Sequence, residues 1–416
     1  MVGAATLIAL CAGASVGQAQ TIAISGGTVY PVSGPKIEMG TVLIQDGKIV
    51  AVGAGIPVPS GARVIDAKGK WVTPGLIHAG SSIGLSQVGS VDGTNEGTHT
   101  GDINAAFNVA EGIDPSNVLI PIARLGGVTT AVSAPSGGLI PGQAVIIDLA
   151  GDRIESMVVK SPAALVINLN EGSKSAGGGS RAGVLETLRH LFNDALEYDR
   201  RKADFQKNQI QSLAAPAAEL EALRPALKGE EPVVVVANRR SDILSALRLA
   251  REFHLRLIVS GGIEAWQLAD ELAKAGVPVA VNTINNIPSF DGLGARFDNA
   301  ALLRAAGVPV LVVEGESGGP RNLRWAAGHG VRFGMTWDDA LASITLAPAR
   351  AFGIDKSYGS LEAGKVANVV VWSGDPLDYA SRAEVILIRG VEQPLVSRQS
   401  ELFERYKHLP PDYESK

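Results

Sequence analysis

The chain has 416 residues, a length that suits two or three domains of ordinary size. Hydrophobic residues make up 46% and charged residues 19%, which excludes a disordered chain and supports a sizeable core. With 37 basic and 42 acidic side chains the net charge is −5, and no long basic run offers a nucleic-acid footprint.

The chain opens with a small, apolar run, Val2 to Val16, followed by Gly17-Gln18-Ala19-Gln20. This reads as a signal peptide over 1–20, although no basic segment leads it, and predicts a periplasmic or secreted protein. The single cysteine, Cys11, lies inside the run, so a processed chain would fit a disulfide-free exported protein. Beyond it no run of about eighteen apolar residues occurs, and no membrane span is expected.

Residues 21–70 read as short strands. Thr21–Ser25, Thr28–Tyr30, Val42–Gln45 and Ile49–Val52 are rich in β-branched residues, and Asp46-Gly47 is a hairpin turn signal. The pattern returns near the far end, at Val369–Trp372 and Val385–Ile388, followed by Arg389-Gly390. Strands at both ends around a different middle predict one small β-sandwich domain built from both termini, from segments 21–70 and 355–400, with a polar tail over 401–416.

The middle alternates. Apolar, strand-like runs fall at Val128–Ser133, Leu165–Leu169, Val233–Ala237, Leu257–Ser260, Val277–Val281 and Val308–Val313, with amphipathic helices such as Asp242–Phe253 and Glu264–Ala275 between them. Alternation of this kind implies a parallel sheet. A middle of roughly 250 residues suits an α/β fold of the (β/α)8 TIM-like barrel type over 71–354. An open doubly wound sheet competes, but no Gly-rich dinucleotide fingerprint follows a first strand. The stretch Gly172–Gly183 follows a strand end and reads equally as a mobile lid or a plain flexible loop. The five tryptophans, Trp71, Trp266, Trp325, Trp337 and Trp372, fall mostly in elements where core packing explains them, which leaves little for a carbohydrate-binding reading.

Four segments carry a family resemblance. They are Trp71-Val72-Thr73-Pro74-Gly75-Leu76-Ile77, Leu125-Gly126-Gly127-Val128-Thr129-Thr130, Ala340 to Arg350, and Gly359 to Val371. In this order, over residues 21 to about 400, the chain resembles the amidohydrolase superfamily, and within it the imidazolonepropionase-like, often exported members. The resemblance implies a metal-assisted hydrolase of C–N bonds in small amides, cyclic amides or peptides. In that chemistry a divalent ion lowers the pKa of water and polarises the scissile carbonyl.

The family pattern places His-X-His after Pro-Gly-Leu-Ile-Asp. Here the chain reads Pro74-Gly75-Leu76-Ile77-His78-Ala79-Gly80-Ser81-Ser82, so Gly80 and Ser82 stand at the ligand positions. Asn238 and Gly261 stand at or near the next two histidines, and no clear lysine follows the fourth strand. The last carboxylate maps near Glu314 and Glu316, with Glu316 the candidate catalytic residue. A site rebuilt from His78, His99, Asp102, Glu171 and Glu316 would be oxygen-rich and suit Mg²⁺, Mn²⁺ or Ca²⁺ better than Zn²⁺.

Two functions therefore stand. One is an exported amidohydrolase with altered catalysis and a divalent ion at a rebuilt site. The other is a pseudoenzyme without a cofactor that binds a small molecule, or pairs with a second copy or an active amidohydrolase partner.

Overall fold

The computed structural model describes residues 21–206, 213–284, 287–314 and 319–408. The expected signal peptide and Glu316 lie outside these residues.

The terminal segments build one sheet. β1 (Ile22–Val29), β2 (Ile37–Gln45), β3 (Lys48–Ala54), β4 (Arg63–Asp66) and β5 (Trp71–Pro74) come from the N-terminal side. Asp46 and Gly47 both take positive φ, 51° and 72°, as a two-residue hairpin turn between right-twisted strands requires. β5 leads through Gly75 into the barrel, whose strands are β6 (Leu76–Ser81), β7 (Val128–Ser133), β8 (Gly142–Asp148), β9 (Val158–Asn168), β10 (Pro232–Ala237), β11 (Arg256–Gly261), β12 (Val279–Asn282) and β13 (Val310–Val313). The chain then returns to the terminal sheet through β14 (Val369–Trp372), β15 (Ala383–Ile388) and β16 (Val391–Glu392).

The terminal sheet runs β16-β15-β14-β5-β1-β2-β3, with β4 pairing β1. It closes around its own core of Ile24, Val42, Ile44, Val72, Val369 and Leu387. The β-sandwich-like domain therefore joins residues more than 300 positions apart, as its two-ended strand pattern predicts.

The barrel sheet follows chain order from β6 to β13, and β13 lies against β6, so the ring is nearly closed. One strand departs from the expected parallel arrangement: β8 is antiparallel to both neighbours. The reason is connection length. Residues 134–141 join β7 to β8, and a parallel return needs a crossover of about a dozen residues or more. The Gly- and Ser-rich run over these residues is thus the turn of a hairpin, and β8 is a strand that periodicity alone does not reveal.

Helices cover the outside. Arg240–Phe253 buries Ile243, Ala246, Leu247 and Ala250 on one stripe against the strands. The long helix Arg181–Gln206 does the same with Val184, Leu188, Leu191 and Ala195. The segment before it is wound into a 3-10 turn, Glu171–Gly177. Gly177 and Gly183 lie so close that a side chain on either would overlap the other's backbone. The run is a packed turn held by its glycines. Neither an open lid nor a slack loop describes it.

Inside the barrel the side chains are small. Ala79, Ala144, Ala163, Ala164 and Ala280 share the interior with Val132, Val166, Ile258 and Leu311. Phe352, fully buried just after helix Leu346–Ala351, packs against the same group.

Candidate active site at the barrel mouth

A cavity of about 480 Å³ opens at the C-terminal ends of the parallel strands and reaches inward to Phe352. Strand alternation decides what it sees. β10 presents Val234 and Val236 inward, while Val235 and Ala237 pack outward against the helices. β9 presents Val166 and Asn168, and Asn170 follows on the same side. β11 contributes Ser260. β6 contributes His78 and Gly80, with Ser81 and Ser82 at its end. Glu314, directly after β13, is the acidic side chain lining this cavity among the described residues. The loop after β6 also borders it, through Gln87 and Asn95.

His78 is buried, and burial holds its pKa down at about 4. The ring is therefore neutral near pH 7. Its Nδ1 accepts from the Gly80 N–H at 3.4 Å, which places the proton of the neutral ring on Nε2.

Three further residues of the expected metal set, His99, Asp102 and Glu171, lie elsewhere. His99 is exposed, with Nδ1 2.8 Å from the Thr100 carbonyl and the ring against Phe107. Asp102 is exposed, and its main-chain carbonyl accepts from the Leu139 and Ile140 N–H groups of the β7–β8 hairpin. Glu171 is exposed and ion-paired to Lys174 at 2.8 Å and to Arg181 at 3.1 Å, and the hydrogen bond from Lys174 does most to lower its pKa. None of the three lines the cavity. Among the described residues no three His, Cys, Asp or Glu side chains gather closely enough to hold a metal ion. Among the described residues the donors that face the cavity are one imidazole, one carboxylate and several hydroxyls and amides. Such a set does not fit a histidine-rich divalent centre.

The positions singled out by resemblance divide into two kinds. Gly80 and Ser82 line the cavity, and a Cβ built on Gly80 meets nothing within 4 Å. Asn238 and Gly261 do not line it. The Asn238 amide donates to Asp291 at 3.1 Å, and its oxygen occupies the space that a side chain at position 261 would need. Ser260 takes the inward place on that strand. Glu314 faces the cavity, and its signal in the sequence was a charge directly after an apolar run; Glu316 lies outside the described residues.

The model of the amidohydrolase family matches residues 291–401. An amidohydrolase from Thermotoga maritima has a similar structure, with a TM-score of 0.83 and 29% identity, covering 91% of this chain and 100% of that one. The chain belongs to the amidohydrolase superfamily. Among curated amidohydrolase relatives, the imidazolonepropionase of Acidiphilium cryptum is 26% identical over 369 residues, 82% of this chain and 89% of that protein. The amidohydrolase tasK of Hapsidospora irregularis is 24% identical over 390 residues; the match covers 85% of this chain and 40% of that longer protein.

Proposed function

We infer that this amidohydrolase acts on a C–N bond of a small amide held in the barrel-mouth cavity, by a chemistry altered from that of a histidine-ligated metal centre. The observation that carries this reading is the cavity lining. Ser82, Asn168, Asn170 and Ser260 offer paired donors and acceptors suited to an uncharged amide, and Glu314 sits beside them as a proton acceptor. Family membership supports the reaction class. The mismatch between the donor set and a divalent centre supports the altered chemistry. Export to the periplasm or beyond belongs to the same proposal and rests on the apolar run from Val2 to Val16.

The same mismatch favours a second reading, a pseudoenzyme that binds its ligand without turnover. Elemental mass spectrometry on tagless exported protein, followed by a screen of small amides and dipeptides, separates the two. Hydrolysis that disappears in Glu314→Ala supports the enzyme. Binding of an amide with no turnover in any metal supports the pseudoenzyme. One or two divalent ions per chain with ordinary metal-dependent turnover would overturn the altered chemistry.

A further inference from the structure

The barrel-mouth cavity changes character with depth, and strand register gives the levels. Asn168, Val236 and Ser260 are paired across β9, β10 and β11 near the mouth. Two residues earlier, about 6–7 Å deeper at the rise of a strand, Val166, Val234 and Ile258 are paired across the same three strands. Val132 of β7 also lines the cavity, and Phe352 closes its inner end. The outer level is therefore largely polar and the inner level apolar.

The inner level is not packed shut. On β10 the inward-facing Val234 and Val236 are partly exposed, whereas the outward-facing Val233 and Val235 are 0% and 1% exposed. Barrels ordinarily fill this space with bulky branched side chains. Here Ala79, Ala144 and Ala280 stand among the valines. The cavity of about 480 Å³ has the size of clefts that enclose a small organic ligand, and open apolar surface within such a cleft marks a binding surface.

The charge of the lining is one-sided. Glu314 faces the cavity, and His78 enters it as a neutral ring. Among the described residues no lysine or arginine lines it. Asn285 and Asn286, which follow β12 in the sequence, and Gly315 to Gly318, which follow Glu314, include no basic residue either.

We propose that the cavity selects amides bearing an uncharged apolar group, aromatic or branched aliphatic, which lodges against Val166 and Val234 while the amide stays level with Asn168 and Ser260. This rests on the amide reading above and gives it a substrate class. Withdrawal of both apolar surfaces from water drives the fit. A carboxylate in the same place would give up its hydration beside Glu314 with no cation to replace it.

Isothermal calorimetry of the full chain tests this with four probes: 3-phenylpropionamide, propionamide, the ring-carboxylated 3-(4-carboxyphenyl)propionamide, and the ketone isostere 4-phenyl-2-butanone. Saturable binding of 3-phenylpropionamide is expected, about tenfold or more tighter than propionamide, which lacks the ring, and tighter than the carboxylated compound by a similar factor. Val234→Phe, which fills the inner level, should shrink the difference between the two uncharged amides. Equal affinity for propionamide and 3-phenylpropionamide, a preference for the carboxylated compound, or no saturable binding of 3-phenylpropionamide would each overturn the proposal. A ketone bound as tightly as its amide would overturn the amide reading instead, while the preference for an uncharged apolar group would stand.

Discussion

The two ends of the barrel handle polar groups in opposite ways. At the mouth, hydroxyls, amides and one carboxylate face an open cavity. At the floor, the polar groups face each other. Asp148, fully buried at the end of β8, accepts from Thr130 and Asn368 at one oxygen and from Tyr358 and Arg389 at the other. Asn368 and Arg389 belong to the terminal segments, so this network fastens the β-sandwich-like domain to the barrel. Polar groups that border a cavity can meet a ligand, while those buried against one another hold the fold.

The floor should therefore fail first when broken. Asp148→Ala leaves the buried Tyr358 hydroxyl without its acceptor and removes the carboxylate that Arg389, Asn368 and Thr130 share. It should cost about 3 kcal/mol or more, read as a lower midpoint in urea unfolding. Next, Phe352→Ala empties the inner end of the cavity and should cost roughly 3 kcal/mol, because neighbouring alanines cannot collapse to fill it. If either variant unfolded like the parent, the division between the two ends would be wrong.

Glu231 gives the floor a pH dependence. Both its carboxyl oxygens are buried without a hydrogen-bond partner, and burial raises its pKa to about 7 against the partial opposition of Lys160. A carboxyl whose folded pKa lies above its unfolded value stabilises fully below the unfolded value, near 4.5, and this contribution is lost as pH rises through about 7. Glu231→Gln should therefore match the parent near pH 5. Near pH 8 it should be more stable, by up to roughly 2–3 kcal/mol, in thermal unfolding at the two pH values. A difference that does not change with pH would remove the electrostatic account.

The smallest effect on stability is expected at the mouth. Gly80 has open space where its side chain would start, and its φ is unexceptional. Gly80→Leu should shift stability by no more than about 1 kcal/mol while blocking amide binding in the cavity. The contrast is Gly75, where an added Cβ would overlap the Thr129 side chain and even alanine should cost about 2 kcal/mol. Equal destabilisation at both positions would count against an open mouth.

Much of the fold is legible in the sequence because burial imposes periodicity. Val369–Trp372 and Val128–Ser133 are strands as read, and Asp46-Gly47 turns as its residue types require. β8 was not legible, since it follows a Gly- and Ser-rich run without a separating helix and its short connection matters only once β7 is placed. The candidate site was partly legible. His78 reaches the cavity, but His99, Asp102 and Glu171 are held at the surface by local bonds that spacing does not encode.

The sequence alone carried the family resemblance, in four motif segments, and it pointed to the barrel and the pairing of the two termini, because repeated apolar patterns and glycine-bearing turns leave few ways to bury so much surface. Only the tertiary structure decided that Glu314 and Ser260 face the cavity while Asn238 turns to Asp291, and that Tyr30, Trp71 and Trp337 pack on one another. Such meetings depend on where each strand ends and on which distant elements pack together, and no local pattern in the chain records either.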